Sequence, residues 1–177
     1  MENVQVKDKT FSIFLTEEQI KARVQEMATK INKDLAGKRP LFMAVLNGSF
    51  IFAADLIRQI DIPCDITFVR MASYIGTQST GRVKELIGLN EVIEGRTVVV
   101  LEDIIDTGLT MRELVSILKA KHPAEIRIAS LVVKPDSLKV ELDINYHCFD
   151  IPNKFIVGYG LDYDGEGRNL PAIYAVV

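Results

Sequence analysis

The chain has 177 residues, 48% of them hydrophobic, enough to bury one substantial core without a second domain, so a single domain over 1–177 is expected. A net charge of −3 argues against a broad nucleic-acid footprint. The first residues lack the apolar core of a signal peptide and no apolar run approaches the length of a membrane span, which predicts a cytoplasmic protein with a small-molecule partner, no nucleic acid and no membrane.

In chain order, Thr16-Glu17-Glu18-Gln19 has the form of a capping box, and Ile20, Val24, Met27, Ile31 and Leu35 follow at helical spacing. This predicts an amphipathic helix ending near Gly37. Residues 41–46 read as a buried strand, Asn47-Gly48-Ser49 as a turn and 50–60 as a mostly apolar helix. Another strand is expected over 65–71 and a short one over 85–89. Between them, 73–83 is polar, punctuated by glycine and too long for a tight turn; it reads as a surface loop or a lid. Residues 97–101 form an uninterrupted β-branched run, as in a strand buried on both faces of a parallel sheet. A helix over 111–121 and a strand over 126–133 follow, then two short strands over 155–160 and 173–177. The alternation predicts an α/β fold, a central mainly parallel sheet with helices on both faces.

Cys64 and Cys148 lie in apolar contexts and read as reduced core thiols. A nucleophilic pair at His147-Cys148 is disfavoured, because neighbours on a strand point to opposite faces. The two histidines form no metal cluster.

The stretch from 97 to 111 carries the chemistry. Glu102, Asp103 and Asp106 sit at the C-terminal end of a strand, where ligands of open α/β sheets bind. Thr107-Gly108-Leu109-Thr110 then leads into a helix. Free N–H groups at that helix start, close approach at Gly108 and the Thr107 and Thr110 hydroxyls suit a phosphate dianion. Carboxylates would repel it unless they accept hydrogen bonds from neighbouring hydroxyls, such as the 2- and 3-hydroxyls of a ribose, while a cation offsets the remaining charge. A ribose 5-phosphate unit meets both conditions. Asp106 or Thr107 alone would read as an ordinary turn or cap residue. Capping, however, uses one side chain rather than three carboxylates and two hydroxyls.

The string Glu102-Asp103-Ile104-Ile105-Asp106-Thr107-Gly108 resembles the phosphoribosyl-diphosphate (PRPP) motif of type I phosphoribosyltransferases, in a form close to the hypoxanthine-guanine branch. Further segments in the family's order extend the resemblance from about Phe11 to the C-terminus. It implies the type I phosphoribosyltransferase fold with a small hood built from the terminal segments, and a homodimer or homotetramer. It also implies Mg²⁺-dependent transfer of the 5-phosphoribosyl group from PRPP to N9 of an oxopurine base. By the same resemblance, Glu102 and Asp103 bind the ribose hydroxyls, Thr107, Gly108, Leu109 and Thr110 hold the 5-phosphate, and Asp106 accepts a proton at purine N7. Glu102, Asp103 and Asp162 would hold Mg²⁺.

Asn47 and Gly48 resemble the pyrophosphate loop, in which an unusual cis peptide can occur. Many family members carry a basic residue where Asn47 stands, so a charged contact is absent here. Arg168 would clamp pyrophosphate. Ser73 and Tyr74 would begin the lid whose closure excludes water. Lys134, which alone would read as a solvated lysine, matches the residue facing the purine 6-oxo group; its donors suit a carbonyl and not the amino group of adenine. Phe155 would stack on the purine while the Ile156 backbone bonds its edge. A PRPP-sensing regulator on the same fold is the alternative. Such a sensor needs the 102–110 motif but not Lys134, Phe155, Asp162 and Arg168, whose retention favours the enzyme.

Overall fold

The computed structural model describes residues 3–75 and 82–177. In chain order its elements are β1 (Val4–Val6), β2 (Lys9–Leu15), α1 (Glu17–Asp34), β3 (Leu41–Val45), α2 (Phe50–Ile57), β4 (Asp65–Ile75), β5 (Arg82–Ile87), β6 (Thr97–Ile105), α3 (Leu109–Lys119), β7 (Glu125–Val133), β8 (Tyr146–Asp150), β9 (Ile156–Val157) and β10 (Ile173–Val176). Six strands form one sheet in the order β5-β4-β3-β6-β7-β8, parallel throughout except for the antiparallel edge pair β4–β5.

That order creates the crevice. From β3 the chain passes through α2 to β4 on one side, and from β6 it passes through α3 to β7 on the other. The loops leaving adjacent strands β3 and β6 therefore diverge at their C-terminal ends, the place where open α/β sheets bind ligands. Both faces are covered. Phe42, Ala44, Val99 and Leu101 pack toward α1 and α2, while their neighbours Leu41, Met43, Val98 and Val100 pack toward Met111, Leu114 and Leu118 of α3. Every residue of β3 is buried, which is why the run shows no polar alternation.

Local signals behave as expected at α1. The Gln19 N–H donates to Thr16 Oγ1 at 3.2 Å and the Thr16 N–H donates to Gln19 Oε1 at 2.8 Å, closing the capping box. The helix ends at Asp34, and Gly37 follows at φ 77°.

The hood is a four-stranded antiparallel sheet in the order β1-β2-β10-β9, made from both ends of the chain. Its link to the core includes Tyr159, whose hydroxyl donates to Asp55 of α2 at 2.6 Å. Burial, and secondarily the Asp55 carboxylate, push that phenol's pKa upward, so it stays a donor.

Several boundaries differ from expectation. The β1–β2 hairpin and β8 carry no strong sequence signal, since all three strands are only partly buried and β1 and β8 are also short. β6 runs four residues past Leu101, through the carboxylates, because β7 continues beside it and pairs Glu102 with Ser130 and Ile105 with Val133. α3 starts two residues earlier than expected, at Leu109, and α2 stops at Ile57. The strand expected over 155–160 shrinks to Ile156–Val157, as Gly158, Tyr159 and Gly160 take φ of 99°, 50° and 100° and turn the chain. Ser73 and Tyr74 lie in β4, paired with Lys84 and Val83; the rest of the expected lid, 76–81, falls outside the described residues.

Burial pushes the Cys148 thiol up to about 12, while the neighbouring His147 is exposed, in keeping with an inert core thiol. No helix of the described residues is long and apolar enough to cross a membrane.

Candidate active site

Two strand ends and one turn converge. At the end of β6 the carboxylates fold back on their own backbone: Glu102 Oε1 accepts from the Asp103 N–H at 3.2 Å, and Asp103 Oδ1 accepts from the Ile104 N–H at 2.8 Å. Asp103 is the one position skipped in the β6–β7 pairing between Glu102 and Ile104, so its N–H and that of Ile104 are satisfied by side chains instead. The Glu102 carboxyl has its pKa raised well above the usual range, first by desolvation and then by the adjacent Asp103 charge.

Beyond β6, Gly108 takes the left-handed conformation at φ 77° and begins α3 without a side-chain cap. The Leu109 N–H reaches only Thr107 Oγ1, at a long 3.4 Å. The first-turn amides thus face the loop without the usual N-cap acceptor, which is the electrostatic setting of an anion site. Gly108 is needed for space as well as φ, because a Cβ there would meet Leu142, Val140 and Leu138 at 2.9–3.3 Å. A cavity of about 130 Å³ is lined by Glu102, Ile104, Ile105, Asp106, Thr107, Gly108, Thr110 and Met111. It is smaller than a site for a whole small-molecule ligand, so it suits one fragment of a larger one.

Across from it lies the loop after β3, with a cis peptide between Leu46 and Asn47. Gly48 is pressed against Asp103: a Cβ at residue 48 would stand 1.5 Å from Asp103 Oδ2. Gly160 presses in turn on Gly48, and a Cβ at 160 would stand 2.2 Å from the Gly48 carbonyl oxygen. Arg168 fixes that turn, donating to the Gly160 carbonyl at 2.7 Å and pairing with Asp162 at 2.7 Å. The Asn47 side chain is exposed and brings no charge to the loop.

Lys134 departs furthest from its bland reading. It is buried, and its ammonium lies 3.1 Å from Asp106 Oδ2 and 3.3 Å from Asn153 Oδ1. Asp106 keeps half of its side chain exposed, so one carboxylate oxygen remains open to a ligand. Phe155 is 44% exposed, held edge-on by Tyr163 at 5.4 Å and backed by Phe11 at 6.1 Å. The Val176 N–H donates to the Phe155 carbonyl, so the next pair along the ladder, Ile156 with Ala175, is a non-hydrogen-bonded one. The Ile156 N–H and C=O consequently turn to the outer edge of the hood sheet, where β9 is the last strand.

The described residues contain no cluster of three or more His, Cys, Asp or Glu donors, so Asp162 does not complete a protein cage with Glu102 and Asp103. The donor set nonetheless fits Mg²⁺, which is held by one or two carboxylates together with substrate oxygens rather than by such a cage. Two adjacent carboxyls, one of them pushed toward its protonated form by burial and by the other's charge, are what a divalent cation would draw toward full ionisation. Sequence reasoning missed three participants: the Lys134–Asp106 ion pair, Asn153 and Gly160. None carries a local signal, because each depends on a contact between separate elements.

The Phosphoribosyl transferase domain family model matches residues 12–164. A hypoxanthine-guanine phosphoribosyltransferase of Streptococcus agalactiae is 43% identical over 162 residues, covering 91% of this chain and 90% of that protein. One from Mycobacterium avium is 43% identical over 169 residues, covering 92% and 83%. Among solved structures, a hypoxanthine-guanine phosphoribosyltransferase of Bacillus anthracis superposes with a TM-score of 0.86 at 41% identity over 94% of this chain and 98% of its own. A hypoxanthine phosphoribosyltransferase of Staphylococcus aureus gives 0.86 at 36% identity over 94% and 91%.

Two outcomes are expected. Gly48→Ala forces the Asp103 carboxylate from its place, so affinity for PRPP measured by calorimetry falls at least about tenfold, while urea denaturation shows a stability loss of only about 1 kcal/mol. Unchanged affinity would mean that Asp103 is not held for the ligand. For Glu102, whose folded pKa is raised, the folded state loses stability as pH climbs from the ordinary carboxylate range toward the raised value. Glu102→Gln should therefore melt higher than the parent at pH 7–8 in metal-free buffer, and the gap should close below about pH 4. A gap independent of pH would show that the carboxyl is not desolvated.

Proposed function

This chain belongs to the phosphoribosyl transferase family, and from that premise we propose that it is a hypoxanthine-guanine phosphoribosyltransferase of purine salvage, using PRPP and an oxopurine base. The observation that carries the reading is the 3.1 Å contact between Lys134 and Asp106, which joins a base-recognising cation to the phosphoribose loop. A PRPP sensor would have no use for that junction, and the relatives are named as transferases.

In the reaction, purine N9 attacks C1 of PRPP, the C1–oxygen bond to pyrophosphate breaks with its electron pair, and the purine loses its N7 proton. Glu102 and Asp103 accept the ribose hydroxyls; the amides of Gly108, Leu109 and Thr110, with the Thr107 and Thr110 hydroxyls, bind the 5-phosphate. The open oxygen of Asp106 takes the N7 proton. Lys134 donates to the 6-oxo group, Phe155 stacks on the ring, and the outward N–H and C=O of Ile156 read its edge. Adenine would set its amino group against the lysine donor and leave a buried polar pair unmatched, a loss of about 1–3 kcal/mol.

Gly48 and its neighbouring loop amides receive pyrophosphate, and Arg168 contributes the donors not already committed to Gly160 and Asp162. Glu102, Asp103 and, on the pyrophosphate side, Asp162 would hold Mg²⁺, which would supply charge neutralisation there. Ser73 and Tyr74 would begin the lid, of which 76–81 lies outside the described residues. The enzyme works in the cytoplasm as one domain, with Cys64 and Cys148 free, and the exposed Phe50, Phe68 and Ile87 offer surface for a homodimer or homotetramer.

Initial rates with PRPP should show Mg²⁺-dependent turnover of hypoxanthine and guanine and none of adenine. Rapid use of adenine would sink the Lys134 assignment, and tight PRPP binding without turnover of any base would sink the enzyme. Asp106→Asn should lower kcat at least about 100-fold with PRPP affinity nearly unchanged. An unaltered kcat would remove Asp106 from proton transfer.

A further inference from the structure

The Lys134 ammonium has three protons to donate. Two are directed at Asp106 Oδ2 and Asn153 Oδ1, 3.1 and 3.3 Å away, and burial keeps bulk water from taking their place. An ammonium on a four-carbon stem is a flexible point charge, and with Asp106 as its sole partner it would swing about that carboxylate. A second acceptor limits that swing and so restricts where the third proton points. The way Asn153 arrives matters as much as the bond. The Ile151 N–H donates to the Val133 carbonyl at 2.9 Å and the Lys154 N–H to the Pro152 carbonyl at 2.7 Å, so a tight turn is pinned to the last residue of β7, next to Lys134. The same turn runs on directly into Phe155 and Ile156.

Resting on the oxopurine transferase reading, we propose that Asn153 is a positioning residue for base selection. Its amide oxygen aims the Lys134 ammonium at the 6-oxo group and ties that donor to the segment carrying the Phe155 and Ile156 contacts. What the position requires is an acceptor oxygen; a carboxylate would meet it as an amide does. An apolar side chain of the same size would not. Among the described residues, the Asn153 side chain bonds to none of those assigned to the phosphoribose, only to Lys134 within the site, so its effect falls on the base and not on the phosphoribose.

The test is steady-state kinetics of Asn153→Leu and Asn153→Asp with hypoxanthine, alongside PRPP affinity by calorimetry. Asn153→Leu should raise the KM for hypoxanthine about tenfold, with kcat within about twofold and PRPP affinity unchanged. Asn153→Asp should return KM to within about threefold of the parent. A KM unchanged in the leucine variant would show that Asp106 alone orients Lys134. Equal damage in both variants, or lost PRPP affinity, would make Asn153 a structural residue. Absence of hypoxanthine turnover by the parent enzyme would instead overturn the transferase reading itself, and this inference with it.

Discussion

The Asp103 carboxylate and residue 48 compete for the same space, and only the absence of a side chain at 48 lets both loops occupy the crevice. A Cβ there would stand 1.5 Å from Asp103 Oδ2, and one at residue 160 would stand 2.2 Å from the Gly48 carbonyl. Two bare glycines thus bring three segments far apart in sequence into close contact: the loop after β3, the end of β6 and the turn after β9. Arg168 holds the third by its bonds to Gly160 and Asp162. Wider spacing at either glycine would separate the proposed pyrophosphate loop from the proposed ribose carboxylates.

Close approach concentrates charge, and each of the three carboxyls meets that problem differently. Glu102 is pushed toward its protonated form by desolvation and by Asp103. Asp103 accepts the Ile104 N–H, and Asp106 is paired with the ammonium of Lys134. With the negative charge so distributed, the uncapped start of α3 can face an anion in spite of carboxylates a few residues away. A cation-bound polyphosphate carrying hydroxyls suits this arrangement better than a bare anion does, since it brings donors for the carboxylates together with negative charge for the amides.

What could be read from the sequence was what depends on neighbours along the chain. The capping box at Thr16, the β-branched run of β6 and the turn at Gly108 are each written within a few residues, and each forms near its expected place. β8 left no comparable trace because it is a short edge strand with partly exposed residues. Glycine carried the opposite ambiguity. Gly158 and Gly160 stand in what reads as a strand, yet their positive φ values break it and create the turn on which Gly48 rests. Lys134 shows the same limit in its clearest form: next to Pro135 it reads as a solvated residue, and only the parallel pairing of β6 with β7 buries it beside Asp106.

That pairing also decides how accurately the proposed chemistry is set. The Lys134 N–H donates to the Ile105 carbonyl at 2.9 Å, so the two strands remain zipped together to the residue that bears the ammonium and to the one preceding Asp106. The backbones that carry the base-recognising donor and the proton acceptor are therefore held together by the sheet ladder, and Asn153, from the neighbouring turn, limits the swing of the ammonium itself. Asn153, Phe155 and Ile156 come instead from a turn and an edge strand of two residues, elements with fewer bonds to constrain them. The division is a physical one: the sheet ladder fixes the backbones that carry Lys134 and Asp106, and the turn and edge strand supply the proposed contacts that aim the ammonium and hold one face and one edge of the base.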